Sequence, residues 1–560
     1  MKRYLFRIIS IVLCLCLLCT GAFAQEETAD TALELPFPKE ALLSSLYEAD
    51  ITAIRQAIDQ KLITCEELTA YYLARIEAYD EDYNCFITIC DNALEVARER
   101  DAQLAEGTAE GMLFGIPVVI KDNMNLEGFY TTNGRKKSDS SIAESDAYVV
   151  SRLLEEGAVV LAKANMSTDA QDARISYSKA AGETKNAYNR TLASGGSSGG
   201  SAAATALNFT VASLGTDTNS SLRIPAALNG CVTLRPTFGL IPMDGIKKLN
   251  SSRDMPGAIT RSVYDLAIMM DVLTNHEYSY TENLNDNALD GLRIGVLKQL
   301  VREEEADEEV LAAFERATEE LRECGAEVVS VSMSNLFSLA KKTLESNKKE
   351  LKENLYEEFL ELLEENELDA VVFPTYSSAP LRSGTDENGK YWNAWEQYFL
   401  NNCRTLGPSA SVPEATVIIG YHSLGAGIGM EIAAARNSEQ LLLDIAYTYT
   451  QRYDHREVPE GAPDSYADYD EGTLPELIDA YLLSLIPPEP VYEPEELEVP
   501  AENEEPVDST ENTETQMQPV EDTVELPEWL CLTIAGAVVL IFVFVLARGK
   551  RKRKSAATKN

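Results

Sequence analysis

Residues 194–204 read Ser-Gly-Gly-Ser-Ser-Gly-Gly-Ser-Ala-Ala-Ala, a run of glycine and serine followed by alanines. Alone, four glycines and four serines within eight residues would indicate a flexible linker. Here the run leads directly into the alanines of 202–206, which favour a helix start, and its glycines allow the backbone to approach a bound molecule closely. A phosphate-binding loop is the competing interpretation, but the G-x-x-x-x-G-K-[ST] pattern does not occur.

The segments around this loop predict an α/β fold. Short apolar runs at 116–120, 158–162, 210–214, 292–296, 370–373 and 416–419 alternate with helical patterns such as 50–60, 64–79 and 92–104. Thr64 and Glu67 form a capping box at the start of one helix. Apolar strands alternating with helices are typical of a buried parallel or mixed sheet covered by helices on both faces. We therefore expect residues 25–455 to form one large α/β domain.

Two further stretches place polar residues at the ends of predicted strands. Residues 115–123 read Gly-Ile-Pro-Val-Val-Ile-Lys-Asp-Asn, so Lys121 ends an apolar strand. Taken alone, a lysine at such a position is usually a surface residue whose charge reaches solvent. Residues 215–226 read Gly-Thr-Asp-Thr-Asn-Ser-Ser-Leu-Arg-Ile-Pro-Ala and turn through small polar residues after another predicted strand.

Together the three stretches resemble the amidase signature family, whose members are Ser-Ser-Lys amidases. The family pattern is approximately G-I-P-x-x-x-K-D-N, then G-G-S-S-G-G-S, then G-T-D-x-G-G-S-x-R-x-P-A, and this chain follows it in that order. Lys121 precedes Ser197 by 76 residues, and Ser197 precedes Ser221 by 24, as the family expects. The resemblance covers about residues 45–450. It implies one amidase-signature domain that hydrolyses a carbon–nitrogen bond in a small-molecule amide. Neither the cysteines nor the three histidines show metal-ligand spacing, so we expect no metal, and we expect no cofactor.

The resemblance assigns roles to three side chains. Ser221 corresponds to the nucleophile that forms an acyl-enzyme, Ser197 to the relay for its proton, and Lys121 to the base. A serine hydroxyl needs an adjacent proton acceptor to react at neutral pH. A lysine can be that acceptor when burial lowers its pKa enough to keep part of it neutral. Ser-Lys sets are known replacements for Ser-His-Asp, and only three histidines occur in the chain.

The chain departs from the family pattern immediately before the predicted nucleophile. Asn219 and Ser220 replace the usual pair of glycines. In the family, the backbone N–H groups at Thr218, Asn219 and Ser220, with that of Ser221, would form the oxyanion hole. We expect Asn219 to tolerate the left-handed conformation that glycine adopts in a tight turn. Ser220 is a rival candidate for the nucleophile, although the 24-residue spacing favours Ser221. Asp217 and Arg223 are expected to form a buried structural pair beneath this loop.

Two alternative functions compete with amide hydrolysis. The Asn219-Ser220 replacement, and a segment near 335–365 that looks shorter than in most members, motivate a catalytically impaired surface protein that acts as a binding module. A second alternative is the enzyme component that converts glutamate on charged tRNA. The chain has 91 acidic and 48 basic residues and a formal net charge of −43. Because binding to phosphates needs clustered Lys and Arg, this balance argues against nucleic acid as a partner.

Both ends of the chain carry signals of export and membrane attachment. Residues 1–24 combine an early basic cluster, a short apolar run and a final Ala-Phe-Ala, the pattern of a signal peptide cleaved before Gln25. Residues 529–547 lack any charge, and the basic tail 548–560 follows them. An uncharged stretch of this length with a basic flank predicts one transmembrane helix with a cytoplasmic C-terminus.

The region between the domain and the predicted span has its own composition. Residues 456–486 are interpreted as a C-terminal extension with a possible helix. Residues 487–528 are acidic and proline-rich without any basic residue, so they predict a disordered stalk. The expected topology is a single-pass protein of the cell membrane with an extracellular catalytic domain. Such an oxidising compartment allows disulfides between the ectodomain cysteines, which are Cys65, Cys85, Cys90, Cys231, Cys324 and Cys403.

Overall fold

The computed structural model describes residue 43, residues 46–384 and residues 396–464. The predicted signal peptide at 1–24, the extension beyond residue 464, the stalk at 487–528, the span at 529–547 and the tail at 548–560 lie outside the described residues. Among the helices that fall in the described ranges, none combines the length and the apolar composition needed to cross a bilayer.

The strands of the described part are short and mostly apolar. They are β1 (Phe86–Ile89), β2 (Pro117–Lys121), β3 (Tyr130–Thr131), β4 (Ser141–Ile142), β5 (Val159–Ala164), β6 (Tyr177–Ser178), β7 (Gly182–Glu183), β8 (Ala212–Asp217), β9 (Val232–Arg235), β10 (Met255–Thr260), β11 (Arg293–Leu297), β12 (Glu327–Val331), β13 (Ala370–Pro374), β14 (Glu414–Tyr421) and β15 (Gly427–Ala433). Eleven of them form one sheet in the order β1-β5-β2-β8-β10-β9-β14-β15-β13-β11-β12, while β3-β4 and β6-β7 are separate two-stranded ribbons.

The large sheet is mixed, as the sequence predicts. β2 runs parallel to β5 and β8, and β11 runs parallel to β12 and β13. The other neighbouring pairs are antiparallel. Every residue of β2, β5, β8 and β13 is buried. Because successive side chains of a strand point to opposite faces, the sheet is covered on both of them.

Helices alternate with these strands along the chain. They are α1 (Ile51–Asp59), α2 (Cys65–Tyr83), α3 (Ala93–Glu106), α4 (Tyr148–Glu155), α5 (Gly199–Ala206), α6 (Arg223–Leu228), α7 (Val263–Leu273), α8 (Lys298–Val301), α9 (Glu308–Glu323), α10 (Leu336–Ser346), α11 (Lys349–Glu365), α12 (Gly407–Ala410) and α13 (Glu439–Arg452), with 3-10 turns at Lys137–Asp139 and Thr168–Ala170. The fold is the α/β arrangement expected from the sequence.

Local signals place the ends of some helices correctly and of others incorrectly. The capping box of α2 is confirmed, because Thr64 Oγ1 accepts the Glu67 N–H at 3.1 Å and the Glu67 carboxylate accepts the Thr64 N–H at 3.0 Å. The predicted start of a helix at residue 202 is wrong, since α5 already begins at Gly199. A Cβ atom at Gly200 would overlap the carbonyl oxygen of Asn165, so this first turn packs where only a glycine fits.

The chain continues along the domain after residue 455. Arg456 forms an ion pair with Glu48, and Arg75 on α2 donates to the carbonyl oxygens of Ala462 and Pro463 at 2.9 and 2.8 Å. Residues 456–464 therefore pack against the same domain. The six cysteines in the described ranges are buried thiols without a disulfide.

The sheet brings the motif stretches to one edge. β2 and β8 are parallel neighbours, with Ile120 beside Leu214, so their carboxyl ends meet. Lys121 ends β2, and Thr216 and Asp217 end β8. The loop that precedes α5 packs against the same strand ends, because Ser198 Oγ donates to the Thr216 carbonyl oxygen at 3.2 Å. Strand pairing thus assembles residues that are far apart in the sequence, such as Lys121 and Thr216.

Candidate active site

Lys121 is the centre of a buried hydroxyl cluster. Its Nζ lies 2.7 Å from Ser197 Oγ, 2.7 Å from Ser198 Oγ and 2.9 Å from Thr216 Oγ1. The side chain is completely inaccessible to solvent. The interpretation of this lysine as a surface residue is therefore wrong. Three hydroxyl oxygens match the three N–H donors of an ammonium group, so both charge states of the lysine have partners here.

Burial changes the acid–base behaviour of this lysine. It lowers the pKa of Lys121 from 10.5 to about 7, and the negative charges of Asp217 and Asp254 only partly oppose this effect. A large share of the side chain is therefore a neutral amine near pH 7. A neutral amine held against a hydroxyl group can accept its proton, which is the property required of a general base.

Glycines allow the Ser197 loop to enter this crowded place. A Cβ atom at Gly196 would overlap the carbonyl oxygens of Asp172 and Ile175, and Gly195 has a φ of +73°. The Gly196–Ser197 peptide bond is cis. Ser198 then donates its backbone N–H to the Ser221 carbonyl oxygen at 3.2 Å. This hydrogen bond joins the loop to the stretch that contains the predicted nucleophile.

The two candidate nucleophiles have different surroundings. Ser220 is fully buried, and its Oγ accepts a hydrogen bond from Asn401 Nδ2 at 2.7 Å. Ser221 is 5% exposed, and its hydroxyl has no hydrogen bond to the described residues. The structure thus brings Lys121 and Ser197 into direct contact and places Ser221 beside them through its backbone, without a hydrogen bond between the two serine hydroxyls.

Asn219 and Ser220 do not need glycine-like backbones. Neither residue has a positive φ, so the expected left-handed conformation of Asn219 is wrong. The loop instead makes its turn with ordinary dihedral angles, and the family's glycines have no conformational advantage here. Within the described residues, the backbone N–H groups of Asn219, Ser220 and Ser221 donate to no acceptor. Three consecutive free donors beside a serine hydroxyl can bind an oxyanion.

A buried charge cluster supports this loop from below. The carboxylate of Asp217 accepts from Arg223 Nε at 3.1 Å, from Arg235 Nη1 at 2.9 Å and from the Leu222 N–H at 3.1 Å. Arg223 Nη2 donates to the Asn219 carbonyl oxygen at 2.9 Å. The expected Asp217–Arg223 pair is confirmed, and it holds the loop so that the Asn219 carbonyl turns toward the guanidinium group.

Two further carboxylates belong to this cluster, and the sequence did not indicate them. Glu414 on β14 pairs with Arg223, and Glu431 on β15 lies 3.6 Å from the same guanidinium group. Burial raises the pKa of Glu431 from 4.5 to about 7. Ser198, Thr216 and Asn401 were missed as well. Ser198 and Thr216 lie inside the quoted motifs, whereas no local pattern marks the two glutamates or Asn401. In the described ranges, no three His, Cys, Asp or Glu side chains converge as metal ligands.

Comparison with known proteins identifies the family to which this chain is related. The family described as Amidase matches residues 67–346, half of the chain, including all three motif stretches. The chain belongs to the amidase family. Among its curated relatives is a component of the glutamyl-tRNA(Gln) amidotransferase of Thermoanaerobacter pseudethanolicus, which is 35% identical over 300 residues. That match covers 51% of this chain and 61% of the relative, so the chain spans about three fifths of the length of such relatives.

Solved structures extend the similarity to the fold of this amidase-family chain. Native peptide amidase from Stenotrophomonas maltophilia is 27% identical, with a TM-score of 0.65 over 74% of this chain and 99% of that protein. An amidase family protein from Bacillus anthracis strain Ames is 25% identical, with a TM-score of 0.63 over 81% and 98% of the two chains. The described domain therefore has the amidase-signature fold.

Proposed function

We propose that this amidase-family chain hydrolyses a carbon–nitrogen amide bond, with Ser221 as nucleophile, Ser197 as proton relay and Lys121 as base. The observation that carries the proposal is the fully buried Lys121 Nζ, 2.7 Å from Ser197 Oγ, at the strand end that the Ser221 loop adjoins. Burial keeps part of Lys121 neutral near pH 7, so that it can accept a proton.

The chemistry divides into two half-reactions. In the first, the Ser221 oxygen adds to the amide carbonyl carbon, its proton passes to Ser197, and the Ser197 proton passes to Lys121. The oxyanion that forms accepts hydrogen bonds from the N–H groups of the loop from Thr218 to Ser221, in which those of Asn219, Ser220 and Ser221 have no other acceptor among the described residues. When the carbon–nitrogen bond breaks, Lys121 returns a proton through Ser197 to the leaving nitrogen. Water then hydrolyses the resulting ester on Ser221, which releases a carboxylic acid and restores the serine.

The substrates that we propose are small-molecule amides. The similarity to peptide amidase supports amides of short peptides as the first class to test. The formal charge of −43 does not favour a polyanionic partner such as tRNA, even though relatives include an amidotransferase named for glutamyl-tRNA.

We also propose that the enzyme acts outside the cell as a single-pass membrane protein. Support comes from the sequence of the two ends, namely the signal-like residues 1–24 and the uncharged stretch 529–547 followed by a basic tail. A C-terminal epitope tag tests this topology. It should resist protease in intact cells and become sensitive after permeabilisation, and a tag that is cleaved in intact cells would contradict the proposed orientation.

The competing binding-module function has lost its main argument. That hypothesis relied on the Asn219-Ser220 replacement and on the segment near 335–365 that looks shorter than in most family members. The replacement does not strain the backbone, since neither residue has a positive φ. The hydroxyl of Ser220 is also engaged by Asn401, which accounts for its presence in the loop. We therefore place amide hydrolysis ahead of binding without catalysis.

One experiment separates the two functions. The full-length protein in detergent micelles is treated with a serine-reactive fluorophosphonate probe and assayed on a panel of amides. We expect labelling of the wild type and of Ser220→Ala, and none of Ser221→Ala. Ser220→Ala is the matched control, because it removes the neighbouring hydroxyl and leaves the loop backbone intact. A wild type that takes up no label and hydrolyses no amide would reject the enzymatic function.

A further inference from the structure

The side chain of Asn219 is the uncommitted one in the loop that precedes Ser221. Thr218 Oγ1 donates to Asp254 Oδ1 at 2.6 Å, and Ser220 Oγ accepts from Asn401 Nδ2 at 2.7 Å. The carboxamide of Asn219, by contrast, has no hydrogen bond to the described residues, and its Oδ1 atom is buried. Buried amide oxygens in native proteins normally accept a hydrogen bond, so a buried Oδ1 without a donor is unusual.

The backbone conformation of Asn219 does not explain why an asparagine is present at this position. Its φ is not positive, so asparagine is not needed for a left-handed turn. Its carbonyl oxygen is held by Arg223 Nη2 at 2.9 Å, which fixes the residue without any help from the side chain. The carboxamide therefore forms no hydrogen bond that stabilises the folded loop. The residue as a whole is half-buried.

The position of this carboxamide relative to the reacting serine defines what it can touch. The Cα atoms of residues two apart lie at most about 7 Å from each other. A substrate bound to Ser221 Oγ through its carbonyl carbon places the atoms next to that carbon within the reach of an asparagine side chain. A nitrogen on the α-carbon of the acyl group lies only about 2.5 Å from the carbonyl carbon, given standard backbone dimensions.

We propose that Asn219 Oδ1 accepts a hydrogen bond from an N–H group on the acyl side of the substrate. The enzyme is then selective for amides whose acyl group carries such an N–H, that is, amides of N-acylated amino acids and of peptides. This inference rests on the proposed function and narrows its substrate class. An acceptor that is buried and otherwise empty favours a substrate with the N–H over one without it, because only the first satisfies the oxygen.

The test compares two substrates that differ only in this donor. One is N-acetylphenylalaninamide, and the other is the analogue in which a methylene group replaces its acetamido N–H. Ammonia release is measured with the full-length protein in detergent micelles. Asn219→Leu keeps the approximate size of the side chain and removes its hydrogen bonding. We expect the ratio of the two kcat/KM values, first substrate over analogue, to fall about 3- to 10-fold in Asn219→Leu.

A matched control comes from Gln299 on α8. Its Oε1 is also buried without a hydrogen-bond partner in the described part of the chain. Its Nε2 donates to the Met333 carbonyl oxygen at 3.0 Å, and no hydrogen bond joins Gln299 to Asn219, Ser220 or Ser221. Gln299→Leu should leave the ratio of the two kcat/KM values unchanged. If Gln299→Leu changes this ratio as much as Asn219→Leu does, the effect is not specific to the site and the inference is overturned.

The remaining outcomes separate this inference from the proposed function. If Asn219→Leu lowers kcat/KM equally for both substrates, or for neither, Asn219 does not accept a hydrogen bond from the substrate N–H, and the inference is overturned. If the wild type is labelled on Ser221 by the fluorophosphonate but does not prefer the N–H substrate, the inference also fails while the hydrolase function stands. A wild type with neither labelling nor hydrolysis overturns both.

Discussion

The buried carboxyl group of Glu431 leads to a prediction that does not depend on the substrate. Its Oε1 accepts hydrogen bonds from Thr375 Oγ1 at 2.7 Å and from Thr416 Oγ1 at 2.8 Å, while Oε2 has no hydrogen-bond partner among the described residues. Burial raises the pKa of Glu431 to about 7, the negative charge of Asp217 adds to the rise, and the Arg223 guanidinium opposes it. We predict that Glu431→Gln stabilises the protein above pH 7.

The sign and the size of the effect follow from proton linkage. The folded protein holds the Glu431 proton more tightly than the unfolded chain, so this group stabilises the fold at low pH. That contribution is lost as the pH rises from about 4.5 to about 7. Each pKa unit corresponds to about 1.4 kcal/mol, so a rise from 4.5 to about 7 corresponds to a total loss of at most about 3.5 kcal/mol. An uncharged glutamine removes the loss, and the variant should gain about 1 to 3 kcal/mol over the wild type at pH 8.

Urea denaturation of the full-length protein in micelles, followed by circular dichroism at pH 5 and pH 8, measures both free energies of unfolding. Glu414→Gln is the matched control. Its carboxylate pairs directly with Arg223 and accepts the Gly407 N–H at 2.6 Å, so neutralising it should destabilise the protein at both pH values. The reasoning is refuted if Glu431→Gln is less stable than the wild type at pH 8, or if its stability differs from the wild type equally at both pH values.

Three further predictions concern the hydroxyl cluster. Lys121→Met should lower kcat by a factor of about 10² to 10⁴, because it removes the base, and circular dichroism should show an intact fold. The wild-type kcat/KM should rise with pH through about 7 as buried Lys121 loses its proton, and a profile that is flat from pH 6 to 8 would contradict its role. Ser198→Ala removes one acceptor of the Lys121 ammonium group, so the midpoint of that profile should move to lower pH.

Local sequence signals predicted the elements and most of the motif residues. Apolar runs located six of the eleven strands of the large sheet within a few residues, namely β2, β5, β8, β11, β13 and β14. The Thr64–Glu67 capping box located the start of α2. These features depend on interactions between residues close in the chain, which is why a sequence reveals them. Lys121 and Ser197 were likewise found from their motifs, and the structure brings them to hydrogen-bonding distance.

Local sequence patterns did not predict the contacts between residues that are distant in the chain. Asn401 reaches Ser220 across 181 positions, and Glu414 reaches Arg223 across 191. Neither partner belongs to a pattern that local periodicity could mark, because each contact depends on how separate strands and loops pack. The backbone angles of Asn219 also depend on the hold of Arg223, so the residue type alone led to the wrong conformation.

The sequence by itself determined the α/β class, the family and the three side chains proposed for catalysis, because motif order and spacing are properties of the chain. Tertiary structure alone decided that Lys121 is buried, with a pKa of about 7, because desolvation depends on everything packed around the amine. It also decided that the Ser220 hydroxyl accepts a hydrogen bond from Asn401, whereas the Asn219 carboxamide has no partner among the described residues. A hydrogen bond to a distant residue engages one of the two side chains that replace the family's glycines, and the other is left without a partner among the described residues.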